Sequence, residues 1–254
     1  MSIKVFILAR EEKIFHVDFF RDVLNSIPKD YEVVGAALVK NKDSIIKSMK
    51  YVYSIGGFKG TIKLIWLMLV KYADEALKNK SYLSVENVFK KKNIPVLIIQ
   101  NPNDESFILN LSKYSPDIIY NSSPNILKKP LLSLPTLGCV NRHAGKLPFY
   151  RGIEPVFFAF LNGESSATIT YHKMDEKIDG GEILWEHDEM IGVNDSVYTM
   201  YAKLFEASKQ SFWHSFDVLR NGDGVPVDIT KGEYYSYPSK CDIINFCQKG
   251  FRYI

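Results

Sequence analysis

Cysteine is scarce in this chain, and its scarcity removes two function classes at once. Cys139, Cys241 and Cys247 are odd in number and lack metal-ligand spacing. Neither a disulfide framework nor a zinc site is expected, and a reducing cytoplasm is the natural compartment. No two histidines are spaced for a metal either, so none is expected. An excess of one charge is missing too: 32 Lys and Arg face 29 Asp and Glu, a formal +3. That is too mild to argue for a nucleic-acid partner and would equally suit an anionic small molecule. Long hydrophobic runs are also lacking. The apolar residues 5–8 meet Arg10, Glu11 and Glu12, too short a run for a signal peptide. The best membrane candidate, residues 62–70, is interrupted by Lys63 and falls far below the ~20 residues of a span. A packed amphipathic helix is the expected form of that stretch; an interfacial contact is the lesser alternative, because Lys59 and Lys71 flank it. Finally, the loop Ala9-Arg10-Glu11-Glu12 contains no glycine, which disfavours a dinucleotide cofactor.

What is present is ordinary globular composition, 46% apolar and 24% charged over 254 residues, enough for one large domain with an appendage. A strand at 3–8, a helix at 12–26 carrying Ile14, Val17, Phe20 and Leu24, and a strand at 31–39 predict an α/β crossover. A mostly helical insertion, about 42–92, is punctuated by Gly56, Gly57 and Gly60. Strands at 95–99 and 117–121 around a helix at 104–114 resume the alternation, followed by strands at 137–140, 167–173 and 181–187. One long helix, 195–220, should bury Val197, Met200, Leu204, Phe212, Phe216 and Leu219 behind a cap at Asn194 or Asp195. The fold class is therefore α/β, a mostly parallel twisted sheet with flanking helices, in a catalytic domain at 1–220 with a C-terminal extension at 221–254. Tyr234 to Pro238 and the aromatic helix ending near Leu219 could form a homodimer face or pack on the chain's own sheet.

Two stretches could carry chemistry. In the first, a strand ends and Asn141-Arg142-His143 follows, then Leu147-Pro148-Phe149-Tyr150-Arg151-Gly152. Polar side chains just past a strand's carboxyl end mark the usual ligand edge of an open α/β sheet. Alternation puts Asn141 and His143 on one side of the extended backbone. An amide that polarises a carbonyl and an imidazole that moves protons are what acyl transfer between nitrogens requires; the plainer reading is a strand cap and a loop histidine. The second stretch is Met174-Asp175-Glu176-Lys177-Ile178-Asp179-Gly180-Gly181. Asp179-Gly180 reads by itself as a hairpin turn, but a carboxylate brought beside His143 would orient the imidazole. His16, His172, His187 and His214 read as structural or surface residues.

Together the two stretches resemble the folate-dependent formyltransferases, a family with glycinamide ribonucleotide, methionyl-tRNA and sugar-nucleotide members. The resemblance implies a Rossmann-like formyltransferase fold, N10-formyltetrahydrofolate as donor, and catalytic positions at Asn141, His143 and Asp179. It also implies that backbone groups of two loops hold the pterin, here Ser123, Pro124, Asn125, Ile126 and Leu127, and Asp175, Glu176 and Ile178. Arg151 is the candidate for substrate phosphates, with Lys146 and Arg10 as further cations. The favoured acceptor is a nucleotide-linked amino-deoxysugar, as in glycan biosynthesis. Alternatives are another amine, hydrolysis of the formyl donor, or a catalytically silent binding protein. One departure concerns the acceptor: the family's Ser-Leu-Leu-Pro element after the histidine reads Ala144-Gly145-Lys146-Leu147-Pro148, so a neighbouring hydroxyl is absent and Lys146 is added. The tail after Arg220 looks too short for the barrel domain with which the methionyl-tRNA enzymes grip tRNA.

Overall fold

The first apolar run forms β1 (Ile3–Arg10), in which Val5 to Ala9 are all buried. Continuous rather than alternating burial marks a central parallel strand covered on both faces. A computed structural model describes residues 2–40, 44–77 and 84–254. After β1 come α1 (His16–Asn25), β2 (Tyr31–Val39), α2 (Ser44–Leu77), α3 (Val85–Lys91), β3 (Val96–Ile99), α4 (Glu105–Ser112) and β4 (Ile118–Ser122). Next are α5 (Lys129–Leu132), β5 (Gly138–His143), β6 (Tyr150–Gly152), α6 (Pro155–Asn162), β7 (Ser166–Lys173) and β8 (Glu182–Met190). The chain closes with α7 (Val197–Gln210), α8 (Phe212–Asn221), β9 (Val225–Pro226), β10 (Glu233–Tyr235) and α9 (Lys240–Gln248).

The main sheet has the order β3-β2-β1-β4-β5-β7-β8-β9. Its first five strands pair in parallel, and β7, β8 and β9 add antiparallel. Strand order reverses between β1 and β4, so the carboxyl ends of β1, β4 and β5 lie at the crevice where such sheets bind ligands. One face carries an aromatic core of Phe19, Phe20, Tyr120, Phe212 and Phe216; the other packs Phe6 and Leu8 against Phe107, Leu111 and Leu131. Within the segment read as an insertion, α3 belongs to the first of these cores through Val85, Val88 and Phe89.

Three expectations are corrected. The single helix at 195–220 is two, α7 and α8, breaking at Ser211 (φ −105°, ψ 9°). The break serves two cores: Val197, Met200 and Leu204 of α7 pack with α6 and β7, whereas Phe212, Trp213 and Phe216 of α8 turn onto the aromatic core. Its cap is Ser196, in a reciprocal capping box with Thr199; Asp195 instead accepts the Gly192 N–H and pairs with Lys203. The aromatic face of the helix is thereby consumed inside the chain rather than left for a partner. Lastly, the stretch 62–70 does not pack as an amphipathic helix: Ile62, Ile65, Trp66, Met68, Leu69 and Val70 are exposed on the second half of α2.

The tail is interleaved with the body. β9 extends the main sheet, β10 pairs with β6, and Phe246 of α9 stacks on Phe157 at 4.5 Å with 1% of its surface exposed.

Candidate active site

β5 delivers the first two site residues. Its alternation sends Arg142 to the opposite side, where the guanidinium lies between the rings of Phe19 (3.9 Å) and Phe205 (3.8 Å) and donates to Ser208 Oγ at 3.3 Å. A cation held between two aromatic faces anchors the strand end, and Asn141 and His143 stand on that anchored backbone.

His143 is buried, and its Nε2 lies 2.6 Å from the Tyr150 carbonyl. A carbonyl only accepts, so Nε2 carries a proton. Nδ1 is left facing Asp179, at 3.7 Å from Oδ1. The close approach of the ring to the Tyr150 carbonyl needs the glycine at position 145. A Cβ on Gly145 would meet that oxygen at 2.5 Å and His143 Nε2 at 2.7 Å.

Asp179 arrives from the loop between β7 and β8 with φ +50°, a left-handed conformation unusual for a side-chain-bearing residue. Gly181 follows at φ +84°, where a Cβ would run into the Lys173 carbonyl oxygen. The turn is held from across the site: the Gly152 N–H donates to Asp179 Oδ2 at 2.7 Å, and Arg151 Nε donates to the Ile178 carbonyl at 2.9 Å. Arg151 thus buttresses the loop that carries Asp179.

His172, read from sequence as structural or surface, sits at the centre of the cluster. Its register partner across β5–β7 is Asn141, and a register shift against β8 falls between Tyr171 and His172, the kind of irregularity that re-aims a side chain beside a site. Nδ1 faces the carbonyls of Lys173 and Gly180, each at 3.1 Å, so it is the protonated nitrogen. Burial, outweighing the Asp179 carboxylate, lowers its pKa, leaving Nε2 a lone pair that accepts from Asn141 Nδ2 at 3.3 Å. The Asn141 amide is thereby oriented with one N–H spent and one free for a ligand. His172 Nε2 also lies 3.8 Å from Asp179 Oδ1. Only strand register, which the sequence does not display, could have singled it out.

The other candidates are distributed around this cluster. Ser123 donates its N–H and hydroxyl to Asn121 Oδ1 (3.0 and 2.8 Å), which folds the 123–127 loop over the end of β4. Asn125 Oδ1 is buried without a hydrogen-bond partner. Pro124 and Ile126 are exposed, and Asn103 Nδ2 binds the Ile126 carbonyl at 2.9 Å. Leu127 sends its side chain into the core. Asp175, Glu176 and Ile178 are exposed, and Glu176 pairs with Lys129 at 3.3 Å. Arg10 ends β1 and is close enough to Glu154 to act on its titration. Lys146 is not brought to the cluster. It pairs with Asp188 at 3.4 Å beside a cavity of about 360 Å³ whose lining includes none of Asn141, His143 or Asp179.

The acidic loop after β1 has a role that composition did not reveal. The Glu12 carboxylate accepts the backbone N–H groups of Ile14 (2.6 Å), Phe15 (2.8 Å) and His16 (3.0 Å) at the start of α1. Glu11 does the same for Val85 (2.9 Å) and Glu86 (3.3 Å) at the start of α3. Helix starts of this kind bind phosphate in many α/β proteins; here the chain fills both with its own anions.

The formyl transferase family profile matches residues 70–215, more than half of the chain. A curated relative, the bifunctional polymyxin resistance protein ArnA of Wigglesworthia glossinidia brevipalpis, is 36% identical over 144 residues. The match covers 56% of this chain and 22% of that protein's length. Among solved structures, phosphoribosylglycinamide formyltransferase from Anaplasma phagocytophilum superposes with a TM-score of 0.61 at 12% identity, covering 87% of this chain and 89% of the other. WlaRD, a sugar 3N-formyl transferase solved in the presence of dTDP and 5-N-formyl-THF, gives 0.58 at 16%, covering 93% and 70%. At those identities the structures speak to the fold alone. With the family profile over most of the site-bearing segment, the chain belongs to the formyl transferase family.

Proposed function

We propose that this protein moves a formyl group from N10-formyltetrahydrofolate to the amine of an amino-deoxysugar carried by a nucleoside diphosphate. The observation that carries the reading is the approach of His143 to Asp179, 3.7 Å across two separate segments, with Asn141 joined to the same carboxylate through His172 at the sheet's carboxyl edge. Residues of the 123–127 loop and of the 175–178 loop would hold the donor. The fit is supported by the unpartnered, buried Asn125 Oδ1, an acceptor suited to an N–H of a flat heterocycle, and by the solvent exposure of residues 175–178. When bound, the donor supplies the formyl carbon and a nitrogen leaving group.

The protein's own part is positional and electrostatic. The free N–H of Asn141 donates to the formyl oxygen as that oxygen gains charge; a donor of this kind contributes about 10²–10³ in rate. Nδ1 of His143 takes the proton that the attacking amine gives up and passes it toward the departing nitrogen, an acid–base contribution of about 10²–10⁴. Asp179, fixed by the Gly152 N–H, would pair with the imidazolium once Nδ1 has taken that proton, while the Tyr150 carbonyl fixes the other nitrogen.

The acceptor reading rests on the loop after β1. An acceptor whose phosphate seats at the start of α1 would meet the Glu12 carboxylate there, which disfavours a purine precursor. Arg10 and Arg151 are the cations that would face a diphosphate. The deciding experiment incubates the protein with N10-formyltetrahydrofolate and, separately, nucleotide-linked amino sugars, glycinamide ribonucleotide, an aminoacyl-tRNA or no acceptor, following tetrahydrofolate release and product mass. Formylation of an amino sugar is expected. Formylation of glycinamide ribonucleotide alone would reassign the acceptor, and formate released without acceptor would make the protein a hydrolase. Binding with no formylated amine would leave a silent binding protein.

A further inference from the structure

Gly57, at φ 59° and ψ −162°, divides α2 into halves with opposite surroundings. The first half is tied to the body: Val52 and Ile55 are buried, Ile55 within the core of α6, α7 and α9, and the Tyr51 ring edges Tyr237 at 5.4 Å and Tyr253 at 6.1 Å. Past the kink the pattern inverts. Phe58 is 70% exposed, Ile62 49%, Trp66 59% and Leu69 63%, with Ile65 at 38%. These positions share the spacing of one helical face, so they form a continuous apolar stripe turned to solvent. Leu64 and Leu67, on the other side, are half-buried. A contiguous apolar surface of this kind marks a docking face.

Charge identifies the occupant. From residue 44 to residue 73 the sequence carries Lys47, Lys50, Lys59, Lys63 and Lys71 and no acidic residue. Lys59 and Lys63 follow Phe58 and Ile62 directly, at the edge of the stripe. A second copy of the same helix would set lysines against lysines, whereas anionic headgroups would neutralise them. An apolar stripe with an aromatic residue, bordered by lysines, is the composition of a helix lying in a membrane interface. No helix of the described residues is long and apolar enough to cross a membrane, which leaves the in-plane mode.

We propose that the second half of α2 seats this protein on the surface of an anionic phospholipid bilayer, with Phe58, Ile62, Trp66 and Leu69 entering the headgroup–acyl boundary and the lysines meeting the headgroup charge. The seat is independent of the formyl-transfer reading. Co-sedimentation of the full chain with vesicles of phosphatidylcholine mixed with phosphatidylglycerol, and with phosphatidylcholine alone, tests it. The chain should pellet with the mixed vesicles, about tenfold less with the neutral ones, and progressively less as salt screens the attraction. Trp66→Ser combined with Leu69→Ser should weaken binding to the mixed vesicles about tenfold or more. Because both side chains are exposed, the melting temperature and the far-ultraviolet dichroism should not move. Equal pelleting of wild type and variant, or no pelleting with the mixed vesicles, overturns the proposal. So does a solution dimer that the double variant dissociates while vesicles bind neither form, which would assign the face to a second copy.

Discussion

At the scale of single residues, the site is a set of hydrogen-bond choices that leave one atom of each group free. His172 uses its protonated nitrogen on two carbonyls and its lone pair on the Asn141 amide, so in the proposed chemistry it would act through Asn141. Asn141→Ala should lower kcat by about 10²–10³. His172→Ala should also lower kcat, and the combined variant should be no slower than Asn141→Ala, because both remove the same donor. Steady-state rates for the three variants check this; losses that multiply would assign His172 a separate role. A second expectation concerns Glu154, whose carboxyl is pushed up from 4.5 to about 7 by burial, against the pull of Tyr253, which donates to both oxygens at 3.1 Å, and of Arg10. The folded state therefore favours the protonated acid, and the stability this gives is present below about 4.5 and lost as pH rises through about 7. Glu154→Gln should gain stability relative to wild type over that interval, read as a widening difference in Tm; a constant difference would mean that Glu154 does not titrate there.

At the scale of elements, the strands were the most legible parts, because buried parallel strands announce themselves as short apolar runs between turn residues. The stretch 31–39 is β2 to the residue, and 3–8 and 167–173 lie within β1 and β7. The helix at 195–220 was half legible. Its apolar residues are buried, but periodicity alone does not show that they serve two cores, and so the break at Ser211 was hidden. β6 and β10, three residues each, carry too short a pattern to announce their pairing. In the site, Asn141, His143 and Asp179 were legible only through the family resemblance, since by themselves they read as a strand cap, a loop histidine and a hairpin turn, whereas His172 depends on register and Glu12 on where helix α1 begins. The capping box of α7 predicts its own cost: Ser196→Ala should destabilise the protein by about 1 kcal/mol in urea unfolding, and Asn194→Ala by much less. Equal losses would mean that the helix starts earlier than described.

At the scale of the whole molecule, the last residues finish structures that much earlier ones begin. β9 is the edge strand of the main sheet, β10 is the partner that β6 would otherwise lack, and Phe246 fills the core under α6. Phe246→Ala should cost about 3–5 kcal/mol, the range for a large buried aromatic, with a Tm loss to match. A loss within experimental error would show that the tail is an appendage after all. The interleaving also has a consequence in time. The backbone N–H that clamps the Asp179 carboxylate belongs to Gly152 on β6, so a growing polypeptide holds Asn141, His143 and Asp179 well before it acquires β10, the strand that braces the clamp. On the roles proposed above, a chain that lacked β10 would keep Asn141, His143 and Asp179 but would lose the strand that steadies their clamp.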